Sequence, residues 1–129
     1  LGGFKVQGKD VEAAKKLIED AKSLEAAGAF ACVLECVPAA LASKITQELT
    51  TMATIGIGAG NGCDGQVLVC NDLLGVSDGF CPKFVKRYAD IHSITVNAVK
   101  SYINEVKDRS FPAPEHTFKI DDTVLEKLY

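Results

Sequence analysis

The spacing of apolar positions changes at Gly28. Before it, Val11, Ala14, Leu17, Ile18, Ala21, Leu24 and Ala27 recur every three or four residues with Lys and Glu between them, which lays one apolar stripe along a helix. Asp10 stands where an N-cap belongs, Glu12 falls in the first turn, and Gly28 follows the last periodic residue as a C-terminal glycine does. After Gly28 the period vanishes. AFACVLE, Ala29 to Glu35, is a near-continuous apolar run, the pattern of a strand buried on both faces. Pro38 suits the first turn of a second helix through Leu41, Ala42, Ile45 and Leu49. ATIGIGAG, Ala53 to Gly60, is again a strand running into a glycine loop.

Helix, strand, helix, strand, with about two dozen residues from one strand to the next, predicts an α/β fold with a parallel sheet and right-handed crossovers. A third apolar run, QVLVCND from Gln66 to Asp72, begins only a few residues after Gly60, whereas a parallel crossover takes a dozen or more. Either Asn61 to Asp64 make a tight turn in place of a helix, or the segment from Asp64 to Leu74 is itself helical; the strand is the preferred expectation. Beyond Pro82, FVKRYA and ITVNAVKSYINEVK read as two helices, the longer carrying Ile94, Val99, Tyr102, Ile103 and Val106. The tail FPAPEHTFKIDDTVLEKLY is proline-bearing and then forms a short helix.

Composition narrows the function classes. The chain has 129 residues, 47% of them hydrophobic, and a formal net charge of -3, enough apolar content for one core and too much for disorder. Its cations are scattered among carboxylates and it has no Trp, so the basic, aromatic-rich footprint of a nucleic-acid binder is missing. No apolar run approaches the ~18 residues of a membrane span, and the opening LGGFKVQGK lacks the apolar core of a signal peptide. A cytoplasmic protein with no membrane partner is expected. Five Cys at 32, 36, 63, 70 and 81 form no C-x-x-C pair and accompany only two His, which suggests neither a disulfide framework nor a zinc site. They read as reduced thiols, most of them packing groups. The chain opens with Leu in what reads as a loop, so it is expected to be part of something longer.

One carboxylate breaks the pattern. In CVLECVP, Cys32 to Pro38, Glu35 ends an apolar strand, and an ionised carboxylate buried there costs several kcal/mol unless it is paired, protonated or at the mouth of a site. The end of a strand just before a helix is where α/β enzymes gather catalytic groups. Withdrawing a carboxylate from water also strengthens it as a base, the condition general-base catalysis near neutral pH needs. The plainer alternative is a salt bridge to a Lys or Arg.

The remaining signals are weaker. GNGCDG, Gly60 to Gly65, has the letters G-x-G-x-x-G, but that motif aims backbone N–H groups at a pyrophosphate only when a helix opens at its third glycine, and β-prone QVLV follows here. GIGAG reads either as close strand packing or as a backbone surface for a ligand at the end of a barrel strand. His92, between two expected helices, and His116, after Pro114, read as exposed loop histidines. Asp72 is a possible site residue or turn chemistry within NDLLG, and Lys83, Lys86 and Arg87 read as a solvated basic patch on a helix.

GGFKVQGK, LEAAGAFACVLECVP, IGIGAGNGCDGQVLV with NDLLG, CPKFVKRYADI and FPAPEHTF together resemble the ketopantoate hydroxymethyltransferase family, in the same order and at similar spacing across most of the chain. The resemblance implies a (β/α)₈ TIM barrel with parallel strands. Such barrels run to ~250 residues, so residues 1–129 are expected to be the C-terminal portion of one barrel domain, with a helical extension from about residue 90. The activity implied is transfer of a hydroxymethyl group from the co-substrate 5,10-methylenetetrahydrofolate to 3-methyl-2-oxobutanoate, giving 2-dehydropantoate for pantothenate and coenzyme A. The resemblance makes Glu35, in LECVP, the catalytic base that removes the proton next to the ketone. It also implies Mg²⁺ on the keto acid, with ligands in the N-terminal half of the barrel and none in this chain, and a large homo-oligomer.

Two rival readings stand beside this one. One is a barrel of the phosphoenolpyruvate-mutase kind that uses GIGAGNG as an anion cradle. The other is a non-catalytic half-barrel acting as an interaction module, whose uncovered sheet edges would make it self-associate.

Overall fold

The computed structural model describes residues 5–128. The expectation of an opening loop therefore lies outside the described residues for residues 1–4. The chain divides into two compact units, one reaching to Ala89 and the other starting at Asp90.

In the first unit, helix α1 spans Val11–Ala26, and the Asp10 side chain accepts the Ala13 amide at 2.8 Å as its N-cap. The helix ends as its glycine predicts. Gly28 takes a φ of 90°, and the amides of Gly28 and Ala29 turn back to the carbonyls of Glu25 and Leu24, which satisfies carbonyls that a helix end otherwise leaves orphaned. Of the expected apolar stripe, Leu17, Ile18 and Ala21 reach the core, whereas Val11 and Leu24 stay exposed.

Strand β1 is Ala31–Glu35, helix α2 is Ala39–Glu48 and strand β2 is Ala53–Ile57. Pro38 is the N-cap of α2, one residue ahead of the helix proper. The strands pair in parallel, with Ala31 opposite Ala53 and Glu35 opposite Ile57. The core lies between this sheet and the helices. Ala21 of α1, Ala42 and Ile45 of α2, and Leu34 of β1 close together with Val37, Met52 and Ala59. Thr54 is fully buried among them; its hydroxyl shares a 2.7 Å hydrogen bond with that of Thr46 and accepts the Asp64 amide, so the buried polar group is satisfied.

Side chains alternate across a strand, so Leu34 faces the helices while Val33 and Glu35 occupy the other face. That face is uncovered: Val33 is 57% exposed and Glu35 is exposed. The expectation of a strand buried on both faces is thus corrected to burial on one face.

Two further expectations change. The third strand, β3, is only Gly65–Gln66, parallel to β2, and Cys70 to Asp72, expected in the strand, fall in the short helix α3, Cys70–Leu73. The Asp64 carboxylate takes the Thr54 amide at 2.8 Å, so a side chain replaces the ladder at one end of β3. At the other end the Leu73 amide bonds back to the Val69 carbonyl, and Asp72 lies in α3 rather than at a strand end. A tight connection after Gly60 does stand in for a crossover helix. FVKRYA is not a helix either. The Val85 amide closes a turn onto Pro82, and the Tyr88 amide bonds to the Leu73 carbonyl at 2.8 Å. Arg87 donates to Gly79 O and Lys86 lies over the Tyr88 ring, so Lys83, Lys86 and Arg87 do not share a helix face.

The second unit is built on helix α4, Ile91–Asp108, capped by Asp90 and closed by Arg109 at a φ of 64°. Its stripe Ile94, Val99, Tyr102, Ile103 and Val106 is exposed. His92, expected between helices, lies in the first turn of α4. His116 closes a single turn of 3₁₀ helix, Pro114–His116; its Nδ1 accepts the Ala113 amide and its ring packs 5.2 Å from that of Phe111. The tail forms the expected short helix, α5, Asp122–Leu125, with Asp121 as N-cap. Among the described residues no helix is long and apolar enough to cross a membrane.

Candidate functional site

The carboxyl ends of β1 and β2 come together through one residue. The Cys36 amide donates to the Ile57 carbonyl at 2.9 Å, and the Cys36 carbonyl accepts the Gln7 amide at 2.9 Å. Glu35 and Gly58 flank this bond along their strands. Glu35 thus stands at the same end of the sheet as the glycine loop, where α/β folds place their ligands. Its nearest partner on the uncovered face is Ile57, so the neighbourhood is apolar but open to solvent. No cation among the described residues pairs with Glu35, and the salt-bridge alternative finds no partner here.

A cleft of about 730 Å³ opens beside this corner. Val6, Val37, Pro38, Ala39 and Phe84 supply apolar wall, and Asn61, Gln66 and Lys83 the polar groups. Cys36, Gly58 and Gly60 complete the lining, whereas Glu35 is not part of it. The glycines are there for want of space and for backbone shape. At Gly58 (φ 65°) a Cβ would stand 3.0 Å from the Phe84 ring, and at Gly60 (φ 74°) it would stand 2.5 Å from the Ala39 Cβ. The close packing at Gly58 and Gly60 is thus against the Phe84 ring and helix α2 rather than strand on strand, and both glycines also line the cleft. Gln66 Nε2 donates to the Gly60 carbonyl at 2.8 Å and so fastens the loop to β3.

Sequence reasoning singled out Glu35 and the glycines but missed Asn61, Gln66, Lys83 and Phe84 as cleft residues. Lys83 and Phe84 were hidden by an expected helix. The available signal was Pro82 directly ahead of them, the start of the turn that carries Phe84 over Gly58. His92, His116 and Asp72 are not among the residues that line the cleft.

Cys32 and Cys63 pack against the core and Cys36 is buried, whereas Cys70 and Cys81 are exposed and do not fill the expected packing role. All five are free, and burial pushes the Cys32 thiol up, with Cys63 and Asp64 adding to the effect, so Cys32 resists becoming the reactive thiolate. A metal does not fit the groups present. Among the described residues no three His, Cys, Asp or Glu side chains gather to hold an ion, and a hard dication such as Mg²⁺ wants near-octahedral oxygen ligation. No step through Mg²⁺ can be assigned to these residues.

A parallel α/β unit with a glycine-lined cleft at the carboxyl ends of its strands belongs to the class of α/β folds that bind small molecules at that edge. Within that class the chain belongs to the ketopantoate hydroxymethyltransferase family, which it matches over residues 1–114. Proteins named 3-methyl-2-oxobutanoate hydroxymethyltransferase from Clostridium novyi and Enterococcus faecalis are 60% and 62% identical to it over all 129 residues. One of the same name from Carboxydothermus hydrogenoformans is 56% identical over the same length. In each case the match covers 100% of this chain and 46% of the relative, so the chain spans about half the length of the relatives it matches. These matches favour neither the phosphoenolpyruvate-mutase-like barrel nor the non-catalytic module.

Proposed function

We propose that this chain is the C-terminal portion of a (β/α)₈ barrel that hydroxymethylates 3-methyl-2-oxobutanoate, using 5,10-methylenetetrahydrofolate, to give 2-dehydropantoate in the route to pantothenate and coenzyme A. The observation that carries the reading is 60% identity over the whole chain to a relative named for this transferase. Glu35 is the general base. Its carboxylate takes the proton from C3 of the keto acid, the C–H electron pair becomes the enolate, and C3 then bonds to the one-carbon unit. In the net reaction the methylene carbon leaves the folate, water contributes the hydroxyl oxygen, and tetrahydrofolate is released. The role is supported by a carboxylate exposed at the carboxyl end of β1, next to apolar Ile57 and free of a competing cation. Mg²⁺, which the family resemblance implies, would be held by the part of the relatives' length that this chain does not span. The working protein is cytoplasmic and a homo-oligomer.

The test is made on the chain joined to the N-terminal portion of the Clostridium novyi relative. Glu35→Gln keeps the shape and removes the basicity, so exchange of the C3 proton with deuterated solvent should fall by about 10²–10⁴-fold. Keto-acid binding should change little. Undiminished exchange would assign the base elsewhere.

A further inference from the structure

The cleft and the proposed base are separate features, because Cys36 lines the cleft while the Glu35 side chain does not. Two carboxylate-bearing molecules take part in the proposed reaction, and the cleft discriminates between them by size, wall chemistry and charge. A volume of about 730 Å³ lies within the range that encloses a drug-sized ligand, and a five-carbon keto acid fills only a small part of it. Its walls include the Phe84 ring and the apolar surface of Val37 and Pro38, which suit a flat aromatic body.

Its polar groups are few and uncommitted. Among the described residues Lys83 is the one charged residue of the lining, and its ammonium has no ion-pair or hydrogen-bond partner there. Gln66 spends its Nε2 on Gly60, which leaves its Oε1 as an acceptor, and the Asn61 carboxamide is unpartnered among the described residues. An acceptor and a second carboxamide beside an aromatic ring match the donor and acceptor edge of an amide-bearing heterocycle, and the lone cation matches a carboxylate.

We propose that this cleft receives a flat heteroaromatic ligand with an acidic tail, its tail carboxylate paired with Lys83. Resting on the reading above, that ligand is the reduced-folate carrier rather than the keto acid. Lys83 then acts as a binding residue for the one-carbon donor.

The test is calorimetric titration of the 129-residue chain with tetrahydrofolate, with its dimethyl ester, which keeps the heterocycle but has no tail charge, and with 3-methyl-2-oxobutanoate. Tetrahydrofolate should bind about tenfold more tightly than the ester, the value of one charge-assisted contact. Lys83→Met should abolish that difference and leave ester binding unchanged, and Lys83→Arg should retain it. Lys83 is exposed, so the variants should fold, and circular dichroism checks that they do. Equal affinities for acid and ester, tetrahydrofolate binding that Lys83→Met leaves unweakened, or no tetrahydrofolate binding at all would each overturn the inference. Loss of keto-acid binding in Lys83→Met would overturn it in favour of the smaller ligand. If Glu35→Gln abolishes proton exchange while Lys83→Met leaves tetrahydrofolate binding intact, only this inference fails; if exchange survives Glu35→Gln, the assignment of the base fails instead.

Discussion

The Cys36 amide reaches across the sheet to the Ile57 carbonyl at 2.9 Å, and Cys36 adopts the left-handed backbone at a φ of 54°. A side chain with a Cβ holds that conformation only where its surroundings over-determine it. Here Ile57 and Gln7 grip both backbone groups of Cys36. The result is a sharp turn straight after Glu35 that ends β1 and directs the chain to Pro38.

That turn should not accept a β-branched residue. Cys36→Val is expected to destabilise by about 1–3 kcal/mol, because branching at Cβ worsens the left-handed strain. Cys36→Gly, which accepts this φ freely, should cost clearly less than Val despite the loss of a buried thiol. Urea denaturation of both variants checks the order.

Gly60 gives a second local test. A methyl group there would meet Ala39 Cβ at 2.5 Å and Cα at 3.2 Å, at a φ of 74°, so Gly60→Ala is expected to cost about 1–3 kcal/mol. Ala39→Gly in the same chain should recover part of that loss, a coupling that a double-mutant cycle measures.

Acid stability should depend on Glu25. Its carboxylate accepts the amides of Thr51, Thr50 and Met52 at 2.6, 2.7 and 3.1 Å, and these bonds, led by that from Thr51, hold its pKa down at about 2 against an ordinary 4.5. A folded-state pKa below the unfolded one stabilises at pH above the unfolded value and is lost as pH falls through the folded one. Stability should therefore drop between about pH 4.5 and 2. Glu48, lowered by Lys22 and then Lys44, acts in the same direction. Glu25→Gln should be less stable at neutral pH and show a flatter acid profile, read from thermal midpoints across that range.

The uncovered sheet face should drive association. Val33 at 57% exposure presents apolar surface of the kind that marks an interaction site. Sedimentation of the 129-residue chain is expected to show self-association that weakens in Val33→Glu, with a monomeric parent chain as the contrary result.

Much of the first unit was legible because local rules and tertiary packing agree there. Asp10 caps α1, Gly28 ends it, and the apolar runs at Ala31–Glu35 and Ala53–Ile57 pair in parallel on either side of α2. Each follows from short-range periodicity and cap chemistry, which a sequence displays directly. The prominence of Glu35 was legible too, as a charge at the end of an apolar strand. Contacts between distant residues decided the rest. The Asp64 carboxylate on the Thr54 amide shortens β3 against the β-propensity of Val67 to Val69, and the Tyr88 bond to Leu73 holds a segment of helical spacing as irregular chain. The exposure of Glu35 was equally beyond the pattern, since an apolar run states what a strand can bury and not which of its faces is covered. The cleft depends on Phe84 lying over Gly58 and Ala39 against Gly60, pairs some two dozen residues apart whose meeting no local period encodes, because side-chain shape complementarity exists only once the chain has folded.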